Sequence, residues 1–145
     1  MADLETQINL DADEGQAQEY LERHGGALLR DSDDPSVYWA SLVPRSGPAE
    51  RYVARLAWSA YPHRAPSVLF ATDIGGALGV ASAWPQMPGY RPPSDICQPF
   101  TAEGFALHAD WTNGPEAWSP DGNPLLRVVA QLQNDLDFRY QGRAA

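Results

Sequence analysis

Tyr52, Ala54, Leu56 and Trp58 alternate with Val53, Arg55 and Ala57, the two-residue period that sets one face of a strand on a core. Ser36 to Val43 predicts a strand before it and Ser67 to Ala71, with Val68, Leu69 and Phe70, one after it. A shorter strand is expected over Ala27 to Arg30. The connections are short and rich in turn formers: Asp31-Ser32-Asp33-Asp34-Pro35, Ser46-Gly47-Pro48, and the corner Tyr61-Pro62-His63-Arg64-Ala65-Pro66. In that corner each proline fixes its own φ and drives the residue before it towards extended geometry. Sequential strands joined this way predict an antiparallel meander, not a parallel βαβ sheet.

Helical spacing flanks the strands. Ala17, Tyr20, Leu21 and His24 share one face of a helix over Glu14 to His24, which Gly25-Gly26 ends. Near the other end, Asn123 is a natural N-cap, Pro124 suits the first helical position, and Leu125, Val128, Val129, Leu132 and Leu136 form one stripe. Pro124 to Phe138 therefore predicts a helix packed on the sheet. Residues 1–13, acidic and small, are expected to be a flexible lead-in to a single domain over 14–145. Thr72 to Gly122 has little periodicity and many Gly and Pro residues, which predicts a long loop of the kind that is usually functional or disordered. Trp84, Trp111 and Trp118 favour an ordered one. The expected class is α+β: a four-stranded antiparallel meander with an N-terminal helix, a long loop and a C-terminal helix.

Composition narrows the function. A chain of 145 residues with 43% hydrophobic content is one domain with a real core. A net charge of −9 argues against nucleic acid, which needs a basic face, and permits a basic protein partner. No apolar run is long enough to span a membrane and no signal-like start is present, so no membrane partner is expected. The only cysteine, Cys97, has no internal disulfide partner, as expected of a free thiol in a reducing cytoplasm. All ten basic residues are Arg. Lacking lysine would protect a carrier of activated acyl groups from modifying itself, although codon bias is the simpler reading.

The segment from Arg51 to Thr72 resembles the centre of the ubiquitin-conjugating enzyme fold, where strands of a meander flank a Tyr-Pro-x-x-Pro-Pro turn ahead of the active-site loop. Val37-Tyr38-Trp39-Ala40-Ser41-Leu42-Val43 looks like that family's strand containing Trp, and Trp118-Ser119-Pro120 stands before a helix as its Trp-Ser-Pro does. The matches run in order over roughly residues 14 to 138. The resemblance implies an acyl transferase that accepts a ubiquitin-like protein's C-terminus from an activating enzyme as a thioester. It would pass that group to an amine of a protein substrate, with no cofactor of its own. The family's His-Pro-Asn ahead of the cysteine is absent; His108, in His108-Ala109-Asp110-Trp111, lies after Cys97 instead. That order resembles diverged bacterial relatives. The alternative is a non-catalytic, RWD-like or immunity-like binding module.

Cys97 sits in Ser94-Asp95-Ile96-Cys97-Gln98-Pro99. A thioester carrier needs an accessible thiol and donors for the oxyanion formed when an amine attacks. His108 and Asn113, further along the same loop, are candidates to donate or to take a proton. Asp110 is a candidate to orient His108 or to deprotonate an incoming lysine. A lone cysteine is equally an ordinary buried hydrophobe. Two further registers remain open. Gly104-Phe105-Ala106-Leu107 aligned to the family's cysteine motif puts Ala106 at the nucleophile's place, and a hydroxyl of Ser94 or Thr101 would give an oxyester. His24, His63 and His108 follow no zinc spacing, Asp31, Asp33 and Asp34 lack the offsets of a calcium loop, and Gly75-Gly76-Ala77-Leu78-Gly79 lacks the helix of a dinucleotide site.

Overall fold

The structure is a computed structural model and describes residues 3–145. Helix α1 (Leu4–Arg23) leads into strands β1 (Ala27–Arg30), β2 (Val37–Leu42), β3 (Tyr52–Ala57) and β4 (Ser67–Ala71), which form one antiparallel sheet in the order β1-β2-β3-β4. The register sets Leu28 opposite Ala40, Ala40 opposite Ala54, and Ala54 opposite Phe70. These residues share a face with Tyr38, Leu56 and Val68, so the alternation legible in β3 is the inner surface of the whole sheet. Helix α3 (Pro124–Phe138) closes that face. Asn123 caps it by accepting the Leu126 N–H at 2.9 Å, and Leu125, Val128, Val129, Leu132 and Leu136 are fully buried in the common core. Val37, Trp39, Val53 and Ala71 form a second, smaller cluster on the opposite face. There the Trp39 indole donates to Asp31 at 2.9 Å.

The N-terminal helix begins ten residues before the expected Glu14. Most of the acidic segment expected to be a loose lead-in is helical, and Met1 and Ala2 lie outside the described residues. Asp3 caps the helix by accepting the Thr6 N–H at 2.7 Å. Thr6, Leu10, Ala17 and Leu21 are its buried residues. Between Leu10 and Ala17 the inward positions belong to Asp13 and Glu14, which accept hydrogen bonds from the Tyr61 and Tyr38 hydroxyls. Two carboxylates in the middle of a buried stripe break the apolar spacing, which is why hydropathy alone starts the helix too late. His24 is exposed and terminates the helix, its ring stacked on Tyr20 at 4.3 Å.

The segment from Thr72 to Gly122 is also more ordered than a loop. It contains a short 3₁₀ turn (Ala81–Ala83), a hairpin of β5 (Tyr90–Arg91) and β6 (Asp95–Ile96), helix α2 (Ala102–Leu107) and a second 3₁₀ turn (Ala109–Asn113). Trp84 is fully buried against Phe70, with ring centroids 5.1 Å apart. The chain's last residues pair beside it: Ala144 N–H donates to Trp84 O at 2.9 Å and Gln86 N–H to Gly142 O at 2.8 Å. Among the described residues, no helix is long and apolar enough to cross a membrane.

One polar pair lies inside this core. The Tyr90 hydroxyl donates to Asp135 at 2.7 Å and the Gln131 amide to its other oxygen at 2.9 Å. Burial pushes the Asp135 carboxyl above its ordinary value, and these donors offset the shift only in part. A carboxyl with a raised folded-state pKa binds its proton more tightly when folded. Its contribution to stability is therefore complete below the ordinary carboxylate pKa and declines as pH rises through the folded value. Tyr90→Phe removes one donor from the ionised group. Urea denaturation is expected to show a loss of about 1–3 kcal/mol near pH 7, and a smaller loss near pH 4.

Candidate active site

Cys97 follows β6 directly, and its own N–H donates to Gly89 O at 2.7 Å, which fixes the backbone beneath the thiol. Gly89 has a φ of +84°, a backbone conformation suited to glycine. Thr101, fully buried, donates its hydroxyl to Ile96 O at 2.6 Å and accepts the Gly104 N–H at 2.9 Å. It closes the turn after Cys97 and starts α2 with one side chain. That rules it out as the hydroxyl nucleophile considered from the sequence.

Helix α2 is held down from two directions. A Cβ on Gly104 would stand 2.2 Å from Gln98 O, so only glycine lets the helix rest on the Cys97–Gln98 backbone. On the other side, Glu103 accepts the Ser67 hydroxyl at 2.5 Å and the Val68 N–H at 3.1 Å, and Ala102 N–H donates to Pro66 O at 2.7 Å. The proline corner thus reaches the site through its last carbonyl. Trp118 ties its indole to Pro62 O at 2.8 Å, and Trp58 packs edge-on against Tyr61.

His108 ends the helix, donating its N–H to Gly104 O at 3.0 Å. Its Nε2 lies 3.1 Å from Cys97 Sγ. Both residues are half-buried. At that separation Sγ–H can donate to an unprotonated Nε2, or an Nε2–H can donate to the sulfur, according to the histidine tautomer and charge. A cysteine used as a nucleophile needs a proton partner at about this distance. Trp111 stacks on the His108 ring at 4.1 Å with an interplanar angle of 16°. Arg91 and Asp95 pair at 2.8 Å across the β5–β6 hairpin that leads into Cys97.

The other sequence candidates stand apart. Asp110 and Asn113 lie exposed on the 3₁₀ turn after His108. Among the described residues, neither side chain hydrogen-bonds to Cys97 or His108. Ser94 is exposed in the β5–β6 hairpin, with its N–H on Arg91 O at 2.8 Å. Ala106 is exposed on α2, one residue beyond Phe105. Between α2 and the proline corner lies a groove of about 570 Å³ lined by His63, Arg64, Ala65, Phe105, Ala106 and Trp118. Among the described residues, no cluster of three or more His, Cys, Asp or Glu is placed to hold a metal ion. Two contributors had other readings in the sequence: Trp111 was one of three rings expected to order the long loop, and Gly104 opened the register that put Ala106 at the nucleophile's place; neither was tied to His108 or to the Gln98 carbonyl.

In comparisons with known proteins, no family model matches the chain, and neither a curated protein nor a solved structure matches it.

Two glycine substitutions test the contact that builds the site. Gly104→Ala forces α2 off the Gln98 carbonyl and is expected to cost about 1–3 kcal/mol in chemical denaturation. Gly15→Ala, where a Cβ meets nothing within 4 Å on α1, is expected to stabilise by about 0.5–1 kcal/mol.

Proposed function

We propose that this chain is a covalent acyl carrier of the ubiquitin-conjugating type, with Cys97 as nucleophile. The observation that carries the reading is the 3.1 Å approach of His108 Nε2 to a half-exposed Cys97 Sγ. The sequence resemblance supplies the rest. The thiolate of Cys97 attacks the thioester carbonyl of a ubiquitin-like protein held on its activating enzyme; a new C–S bond forms and the enzyme's thiolate leaves. His108 holds the proton released from Sγ. An amine of the protein substrate then attacks the Cys97 thioester, a C–N bond forms as the C–S bond breaks, and the proton the amine loses passes to the departing Cys97 thiolate. Asp110 and Asn113, on the turn that follows, are the groups proposed to meet that amine or the oxyanion. ATP is consumed by the activating enzyme, so the carrier uses no cofactor, and the setting is cytoplasmic. The absence of lysine agrees with a protein that holds an amine-reactive bond.

The test mixes the chain with an activating enzyme, a ubiquitin-like protein and ATP, and follows adducts on a non-reducing gel. The expected product is an adduct of one modifier that thiols remove and Cys97→Ala abolishes. Cys97→Ser is expected to leave a thiol-resistant ester. His108→Gln is expected to slow turnover by roughly 10²-fold, the usual size of a lost proton-transfer partner. An adduct that survives Cys97→Ala and yields to hydroxylamine moves the chemistry to a hydroxyl such as that of Ser94. Modifier binding without any adduct leaves the RWD-like binding module.

A further inference from the structure

Phe105, His108 and Trp111 are spaced three residues apart, so the end of α2 and the turn after it bring three rings to one side. Trp111 N–H donates to His108 O at 3.0 Å, and this turn lays the indole over the imidazole at 4.1 Å. Phe105 meets the same indole edge-to-face, with centroids 6.0 Å apart at 89°. The capping N–H of His108 fixes its backbone but leaves the side-chain torsions free. The imidazole meets the indole plane and the sulfur of Cys97. A sulfur hydrogen bond is weak in direction, whereas a flat stack restricts a ring to its plane. We infer that Trp111 is a positioning residue, which together with Phe105 holds the His108 ring in the orientation that aims Nε2 at Cys97. This rests on the Cys97–His108 pairing used in the proposed function, and it adds a residue that touches neither the sulfur nor an acyl group.

The chain's single thiol makes the consequence measurable without any partner protein. Alkylation of Cys97 by iodoacetamide is followed in wild type, His108→Gln, Trp111→Ala and Trp111→Phe, with circular dichroism checking the fold of each. Trp111→Ala is expected to slow alkylation roughly 2- to 10-fold, the factor equivalent to one lost aromatic contact. Trp111→Phe, which retains a stacking ring, is expected to recover most of the rate. His108→Gln is expected to slow it at least as much as Trp111→Ala. The wild-type NMR spectrum gives a second reading: the His108 ring protons are expected upfield of ordinary histidine shifts because they lie over the indole.

An alkylation rate unchanged in folded Trp111→Ala, while His108→Gln is slow, overturns the positioning role and leaves the proposed function standing. A rate unchanged in His108→Gln removes the pairing itself, and the proposed function with it. Should Trp111→Ala fail to fold, His108 protons at ordinary shifts in the wild type overturn the inference instead.

Discussion

Helix α2 rests on the backbone of Gln98 at a glycine. A side chain at Gly104 would occupy the space of the Gln98 carbonyl, so the helix either lies flat here or lifts away. Because it lies flat, its C-terminal residue arrives beside the residue preceding Gln98. The proximity of His108 to Cys97 is therefore inherited from a main-chain contact. Thr101 makes the same arrangement self-consistent, since its hydroxyl closes the turn after Cys97 and its lone pair begins the helix that returns to it.

The remaining supports come from the sheet. Glu103 fastens α2 to the start of β4, and Pro66 receives the Ala102 N–H. The rigid corner between β3 and β4 thus acts as a fixed edge against which the helix is seated. Strands placed by period-two burial define the corner, the corner seats α2, and α2 delivers His108. Few of these contacts involve large buried areas. Their effect is positional, which suits a site whose working distance is that of one hydrogen bond.

How much of this was legible depended on element length. Strand β3 and helix α3 declare themselves, because periods of two and near 3.6 need several residues to show and these elements have them, and the turn formers between apolar runs set out β1, β2 and β4. Two-residue strands and a six-residue helix have no room for a period, so β5, β6 and α2 were read as loop. The first half of α1 failed for a different reason: Asp13 and Glu14 occupy inward positions as acceptors for Tyr61 and Tyr38, so a buried stripe looks polar. At the site, Cys97 and His108 stood out by chemistry and by sharing one segment. Nothing in the letters said that Asp110 and Asn113 would stay exposed while Trp111 turned onto the histidine, since that follows from how a single 3₁₀ turn continues α2.

The hydroxyl–carboxylate contacts also change how the chain's acidity should be understood. A count of nineteen acidic residues treats them as one solvated population, yet Asp13, Glu14, Glu103 and Asp135 each brace one element against another. A basic protein drawn in by the overall field finds fewer uncommitted carboxylates at the surface than the total suggests. Re-engineering the protein towards neutrality would have to spare those four positions, because erasing a charge there takes out a strut.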